Sequence, residues 1–349
     1  MVTGPRHRCA RALARIAQVA MVCHLGIVAW ARTEPARAQT SITPSRRSSS
    51  PFWRTVRRPE LRRASRLQLE GRTLLREASS SQVSHARDVL LDGAVRALRR
   101  ANRLAPEEPS ILFDLAEALS ISDGSDPEAR DREALELLGR LQVVDPTYEP
   151  AAVGFRQGVV LTRRMRFAEA IEAYERALRF AIEEQGSLTT ITHSNLAETL
   201  MSLGRLDEAI RHYEISIEVS EGLNVLGIWG LAVALDRSGR AQAALQAAQR
   251  ALTSDPRDPE HTMQALRDPG VFFVPEHDGL YYFALGYEAR AALATTDSDR
   301  VRDERRAADQ WRAYLALGGS DGPWASSARA HLDALEARHA PTSTRARSR

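Results

Sequence analysis

The chain has 349 residues, a formal net charge of +3 and a mean hydropathy of −0.34, so it is long enough for a sizeable core. All 48 basic residues are arginine. The absence of lysine excludes a P-loop, a Schiff-base enzyme and a protein kinase, each of which needs a lysine amine.

The N-terminus has the three-part layout of an export signal. Arg6, Arg8, Arg11 and Arg15 precede an apolar run from Ile16 to Ala31, and Ala36-Arg37-Ala38 then places small residues where a signal peptidase reads. The run is short for a stable membrane span. Arg32 and Arg37 follow it, which leaves an uncleaved N-terminal anchor as the alternative. Both cysteines, Cys9 and Cys23, lie in this segment. Cleavage after Ala38 leaves a chain with no disulfide, thiolate metal site or cysteine nucleophile.

Residues 39–60 are rich in Ser, Arg and Pro and read as a flexible linker. Charge is uneven along the chain. Residues 39–105 carry 15 arginines against five acids, and residues 106–349 carry 27 against 39. A basic head on an acidic body suits contact with a membrane surface through residues 39–105, or is simply solvated. Export makes nucleic acid a poor candidate partner.

From 61 to 340 the apolar spacing of three and four is helical nearly throughout, as at Leu112, Leu115, Ala116 and Leu119. Residues 341–349 read as a loose tail. Three phrases repeat: 166–178 (RFAEAIEAYERAL), 205–217 (RLDEAIRHYEISI) and 240–252 (RAQAALQAAQRAL). Ala170, Ala209 and Ala244 are their equivalent positions. A period of this size marks stacked helix pairs.

These phrases resemble the tetratricopeptide repeat (TPR) family, whose unit is a pair of antiparallel helices, A and B. The third unit has Gly158-x2-Leu161, then Ala170-x3-Tyr174-x2-Ala177. The fourth has Leu196-Ala197-x2-Leu200, then Ala209-x3-Tyr213-x2-Ser216. The fifth has Leu231-Ala232-x2-Leu235, then Ala244-x3-Ala248-x2-Ala251-x4-Pro256. Weaker units are centred on Ala94, Ala134 and Ala307, with longer A-to-B spacings. The resemblance implies an all-α fold, a right-handed superhelical solenoid of about six helix pairs. Residues 323–338 read as a capping helix.

Small residues are needed where helix A crosses helix B, because only they let the axes approach. Tyr174, Tyr213 and Trp311 are expected to fill the gap to the next unit. Pro106, Pro146 and Pro256 follow B helices, which they stop.

Nothing in the sequence assembles a catalytic or metal site. No H-E-x-x-H or G-x-G-x-x-G is present, and Gly318-Gly319-Ser320-Asp321-Gly322, which has the spacing G-x-S-x-G, reads as a turn because its glycines break the helix. His193 and His212 are expected to face solvent. No cofactor is implied. Segment 257–283 breaks the repeat register and concentrates Phe272, Phe273, Tyr281, Tyr282 and Phe283. It is either packed on the adjoining helices or a recognition loop.

The resemblance places a binding groove along the A helices. Its residues would be Phe155, Arg156, Val159 and Arg163, then Ser194, Asn195, Glu198 and Met201, then Trp229, Val233 and Arg237. Arg156 and Asn195 match a position that some relatives use to hold a peptide's terminal carboxylate. Leu226 and Gly230 stand where the rest of such a clamp needs basic residues.

The expectation is a non-catalytic scaffold of the cell envelope that binds a protein or peptide. The alternatives are an envelope enzyme with its site in 257–283 and a purely structural envelope component. Partner identity and oligomeric state are not legible. Signal cleavage after Ala38 predicts a mature chain that starts at Gln39. Intact mass of protein taken from the native envelope checks this, and retention of residues 1–38 would support the anchor instead.

Overall fold

The computed structural model describes residues 59–340, apart from 82, 123, 125, 182–185, 255–258, 269–270 and 319–321. The expected signal, most of the linker and the tail lie outside these residues. The described residues contain no strand. They fold as successive packed helix pairs, so the all-α expectation holds. The chain divides into two compact bodies at Val160/Leu161.

In the first body α1 (Pro59–Ser80) packs on α2 (Ser84–Leu104), and α3 (Pro109–Ile121) on α4 (Pro127–Val144). α5 (Pro150–Arg163) begins here. Pro109, Pro127 and Pro150 open their helices, where a missing N–H costs nothing. Asp126 caps α4 by accepting the Ala129 N–H at 2.9 Å. Leu98, Leu112, Leu115, Leu119, Leu138 and Leu141 form one sealed cluster. The long A-to-B spacing of the first unit is spent on helix length, because α1 has 22 residues and α2 has 21.

The second body runs from residue 161. It contains α6 (Phe167–Phe180), α7 (Gly186–Ser202), α8 (Leu206–Val219), α9 (Val225–Arg237) and α10 (Ala241–Thr253). A short α11 (Pro259–Gln264) and a 3-10 turn (Ala265–Arg267) follow. α12 (Asp278–Leu293), α13 (Asp297–Gly318) and α14 (Ala325–His339) close it. α7 pairs with α8, α9 with α10, and α12 with α13.

The B-helix alanines are where the repeat requires them. Ala94, Ala134, Ala170, Ala209, Ala244 and Ala307 are each at most 1% exposed. Tyr174, Tyr213 and Trp311 are buried as expected. The A-to-B turn needs a left-handed residue. Gly204 (φ +74°) and Gly239 (φ +79°) supply it, and in the third unit Met165 is forced to φ +55°. The arginine after each turn recurs as a surface fastener. Arg166 pairs with Glu169 and Arg205 with Glu208, whereas Arg240 reaches back to Asp207 of the preceding unit at 2.5 Å.

The capping helix is present as α14, and it is locked by charge. His331 lies 3.0 Å from Asp236 through Nε2 and 3.0 Å from Glu288 through Nδ1. Its ring stacks on Trp311. Trp311 Nε1 donates to Glu288 at 2.6 Å, and Tyr281 Oη donates to Asp236 at 2.5 Å. Burial disfavours a charged ring, but the hydrogen bonds to the two carboxylates outweigh it and push His331 up to about 10.

A raised folded-state pKa means that this contribution is fully present below about 6.5 and is lost as pH rises through about 10. Denaturant unfolding across that window should show a falling stability. His331→Gln should flatten the fall. Removing the cation leaves two buried carboxylates face to face and should cost about 3–5 kcal/mol at neutral pH.

Candidate functional site

The first helix of each pair presents a face on which a partner could lie, and each body has its own such face. In the first body three helices contribute an alternating row of charge. Arg72 of α1 grips Asp114 of α3 with two bonds, at 2.6 and 3.0 Å. Gln68 donates to the same carboxylate at 2.7 Å. One turn further, Glu117 accepts from Arg156 of α5 at 2.5 Å. Burial pushes the Glu117 carboxyl up, while Arg156 and Arg72 oppose that shift.

Arg156 is therefore committed. Its side chain is only 5% exposed and its charge is spent on Glu117. A peptide carboxylate would have to displace a buried ion pair to reach it, so this structure does not present Arg156 as a free fork. Phe155 and Val159 are buried in the same body.

In the second body the α7 face stays open. Leu188, Ile191, Asn195, Glu198 and Ser202 recur at three and four, and all are half-buried. Glu198 is the fixed point. Its Oε2 accepts from Tyr213 Oη at 2.5 Å and from Tyr282 Oη at 2.6 Å. Burial raises the Glu198 carboxyl, and the two phenols and Arg237 work against that rise. Ser194 does not face a groove. It bonds Ser216 at 2.8 Å and accepts from Asn224 at 2.8 Å, which ties α7 to the start of α9. Arg163 is half-buried.

Over α9 the face is closed. Trp229 and Val233 are fully buried, and so is Met201 of α7. Trp229 Nε1 donates to the Thr262 carbonyl at 3.0 Å. The sequence reading placed Trp229 in the binding groove; it is core, because α11 lies against it. Arg237 is buried too, 3.1 Å from Asp278 and flanked by the rings of Tyr281 and Trp324. Gly230 is required here, since a Cβ would fall 2.3 Å from the Tyr213 ring. That explains why no basic residue occupies this position.

The aromatic segment is packed. Met263 and Leu266 are buried, and Phe273 lies 4.9 Å from Tyr282, centre to centre. Tyr281 and Tyr282 belong to α12 and spend their hydroxyls on Asp236 and Glu198. Phe272 alone of the named aromatics is left exposed. No signal in the sequence alone assigned those two hydroxyls to carboxylates 45 and 84 residues away.

His193 and His212 do not face solvent as expected. Both are half-buried, with their Nδ1 atoms 2.9 Å apart and ring centres 5.1 Å apart. The nitrogens meet head-on, which suits one shared proton rather than converging metal ligands. Burial, then the facing His212, brings His193 down to about 4. Among the described residues no three His, Cys, Asp or Glu converge on a metal position.

Tetratricopeptide repeat profiles match residues 151–221 and 194–259. Residues 151–259 of this chain carry tetratricopeptide repeats. The TPR fold is a protein–protein interaction scaffold, and this chain is built as one. A curated relative is the Tonsoku-like protein of Bos taurus, 28% identical over 170 residues. The match covers 44% of this chain, which spans only 11% of that protein.

Solved structures of similar fold include YrrB, described as a TPR protein with an unusual peptide-binding site. It is 17% identical with a TM-score of 0.41, over 64% of this chain and 98% of that one. Pseudomonas aeruginosa PilF is 14% identical at 0.46, over 80% and 99%. Yeast Tom70 is 12% identical at 0.41, over 96% and 66%.

The burial of Trp229 makes a direct prediction. Trp229→Ala should destabilise the protein by about 3–5 kcal/mol, the range for a fully buried aromatic. Denaturant unfolding measures it. Unchanged stability with weakened partner binding would return Trp229 to the groove.

Proposed function

We propose that this chain is a non-catalytic scaffold of the cell envelope that holds an extended protein segment on the α7 face of its second body. The observation that carries this reading is the contrast between two neighbouring A helices. The α9 face is filled by the chain's own Thr262, Met263 and α12, whereas the α7 face keeps a half-exposed row with a pre-set polar centre.

Each residue of that row has a use. Leu188 and Ile191 offer apolar contact. The Asn195 amide has both a donor and an acceptor, which matches one peptide unit of a bound backbone. Glu198 is held by two phenols and so needs no reordering to accept an N–H or a cationic side chain. The envelope location rests on the basic n-region, apolar run and Ala36-Arg37-Ala38 of the N-terminus.

Co-purification from envelope extract supplies the partner, and affinity is then measured with variants. Asn195→Ala should weaken binding about tenfold, the scale of one lost peptide hydrogen-bond pair. Its unfolding curve should match that of the parent chain. Undiminished affinity would remove the α7 face from the interface.

A further inference from the structure

The first helix carries a face that the scaffold function does not use. Arg62, Arg66, Leu69, Thr73 and Arg76 follow one another at intervals of four and three, which puts them in a single stripe along α1. The stripe lies opposite the buried seam of Ala64, Leu67, Leu75 and Ala78. Its three arginines are exposed, and Leu69 at its centre is 62% exposed.

The charged residues of this stripe are all arginine. Further along the chain Arg166, Arg205, Arg300, Arg302 and Arg312 each close on an acid three residues away. Arg62, Arg66 and Arg76 have no such partner among the described residues; of the acids of α1, Glu70 and Glu77 border the stripe, four residues after Arg66 and Thr73, and neither closes on one of its arginines. A solvent-facing helix surface needs polar groups for solubility, and the paired arginines elsewhere show that this chain can build one without net charge. The stripe instead accumulates positive charge around an exposed leucine.

Sequence position names the class of surface that this suits. Past the expected cleavage point, residues 39–58 carry five arginines and no acid. Along the sequence, basic charge thus runs from the expected mature start up to the α1 stripe. No helix among the described residues can itself cross a membrane, so contact here is superficial.

We infer that the outer stripe of α1 docks on an anionic lipid surface, with Arg62, Arg66 and Arg76 on the headgroups and Leu69 entering the interface. Arginines near an anionic bilayer are each attracted to it, and that attraction is lost with added salt. The inference rests on the envelope reading above and makes no use of the α7 face.

The test is co-sedimentation of the chain from Gln39, its expected mature start, with vesicles. Vesicles of mixed phosphatidylglycerol and phosphatidylcholine should retain it, with affinity falling steeply as salt is added. Pure phosphatidylcholine vesicles report apolar contact alone. The triple variant Arg62→Glu, Arg66→Glu, Arg76→Glu should bind the anionic vesicles at least tenfold more weakly. The matching glutamine variant, checked for unchanged helicity, replaces it if the reversed charges unfold α1.

Equal retention by both vesicle types overturns the inference, and so does a variant that binds as well as the parent. Capture by soluble polyglutamate in preference to vesicles would assign the stripe to an acidic protein instead. Partner capture measured with Asn195→Ala is indifferent to all three results, so the two readings fail separately.

Discussion

The close crossing of the two helices in each pair is the constraint on which the other features depend. It is set by one alanine per pair, at 94 and 134 in the first body and at 209, 244 and 307 in the second, each essentially without solvent exposure. A longer side chain there would push the helices apart, at about 1–3 kcal/mol for one overpacked site. With the axes close, the residue four positions on meets the next element. Tyr174, Tyr213 and Trp311 occupy that place and are buried. No pair covers its own apolar surface, so each draws stability from its neighbours.

That dependence reaches the C-terminal end of the described residues, where α14 is held by charge as well as by apolar contact. Asp236, Arg237, Asp278, Glu288 and His331 are joined by short contacts and framed by Tyr281, Trp311 and Trp324. Buried ion pairs are weak sources of net stability, because desolvation cancels most of the attraction. They are costly to leave half-made, however, so they define where α14 must sit. This is a device for placement more than for strength.

The same end of the body decides which surface is left for a partner. α12 supplies Tyr282 to Glu198, and α11 supplies a carbonyl to Trp229. A face that a regular repeat would leave open is thereby used up over α9. The α7 row is the remainder, and its central carboxylate is positioned by the elements that close its neighbour. Binding geometry and stability are coupled at Glu198.

Much of the architecture was legible from the chain alone. The equivalence of Ala170, Ala209 and Ala244, the terminating prolines and the turn position of Gly204 and Gly239 are local features, because they follow from helix period and backbone dihedrals. The capping helix at 323–338 was readable for the same reason. The site was legible only in part. Asn195 and Glu198 are half-buried on α7. Trp229, Val233, Met201 and Arg237 share the helical spacing and are buried, since period says which residues share a face but not what covers it. Arg156 looked like a free fork until Glu117, 39 residues earlier, was found against it. His193 and His212 met for a similar reason, each being ordinary on its own helix. Helix faces are set by bonds between near neighbours in sequence. Their occupancy is set by contacts between residues tens of positions apart, and only the tertiary structure brings those together.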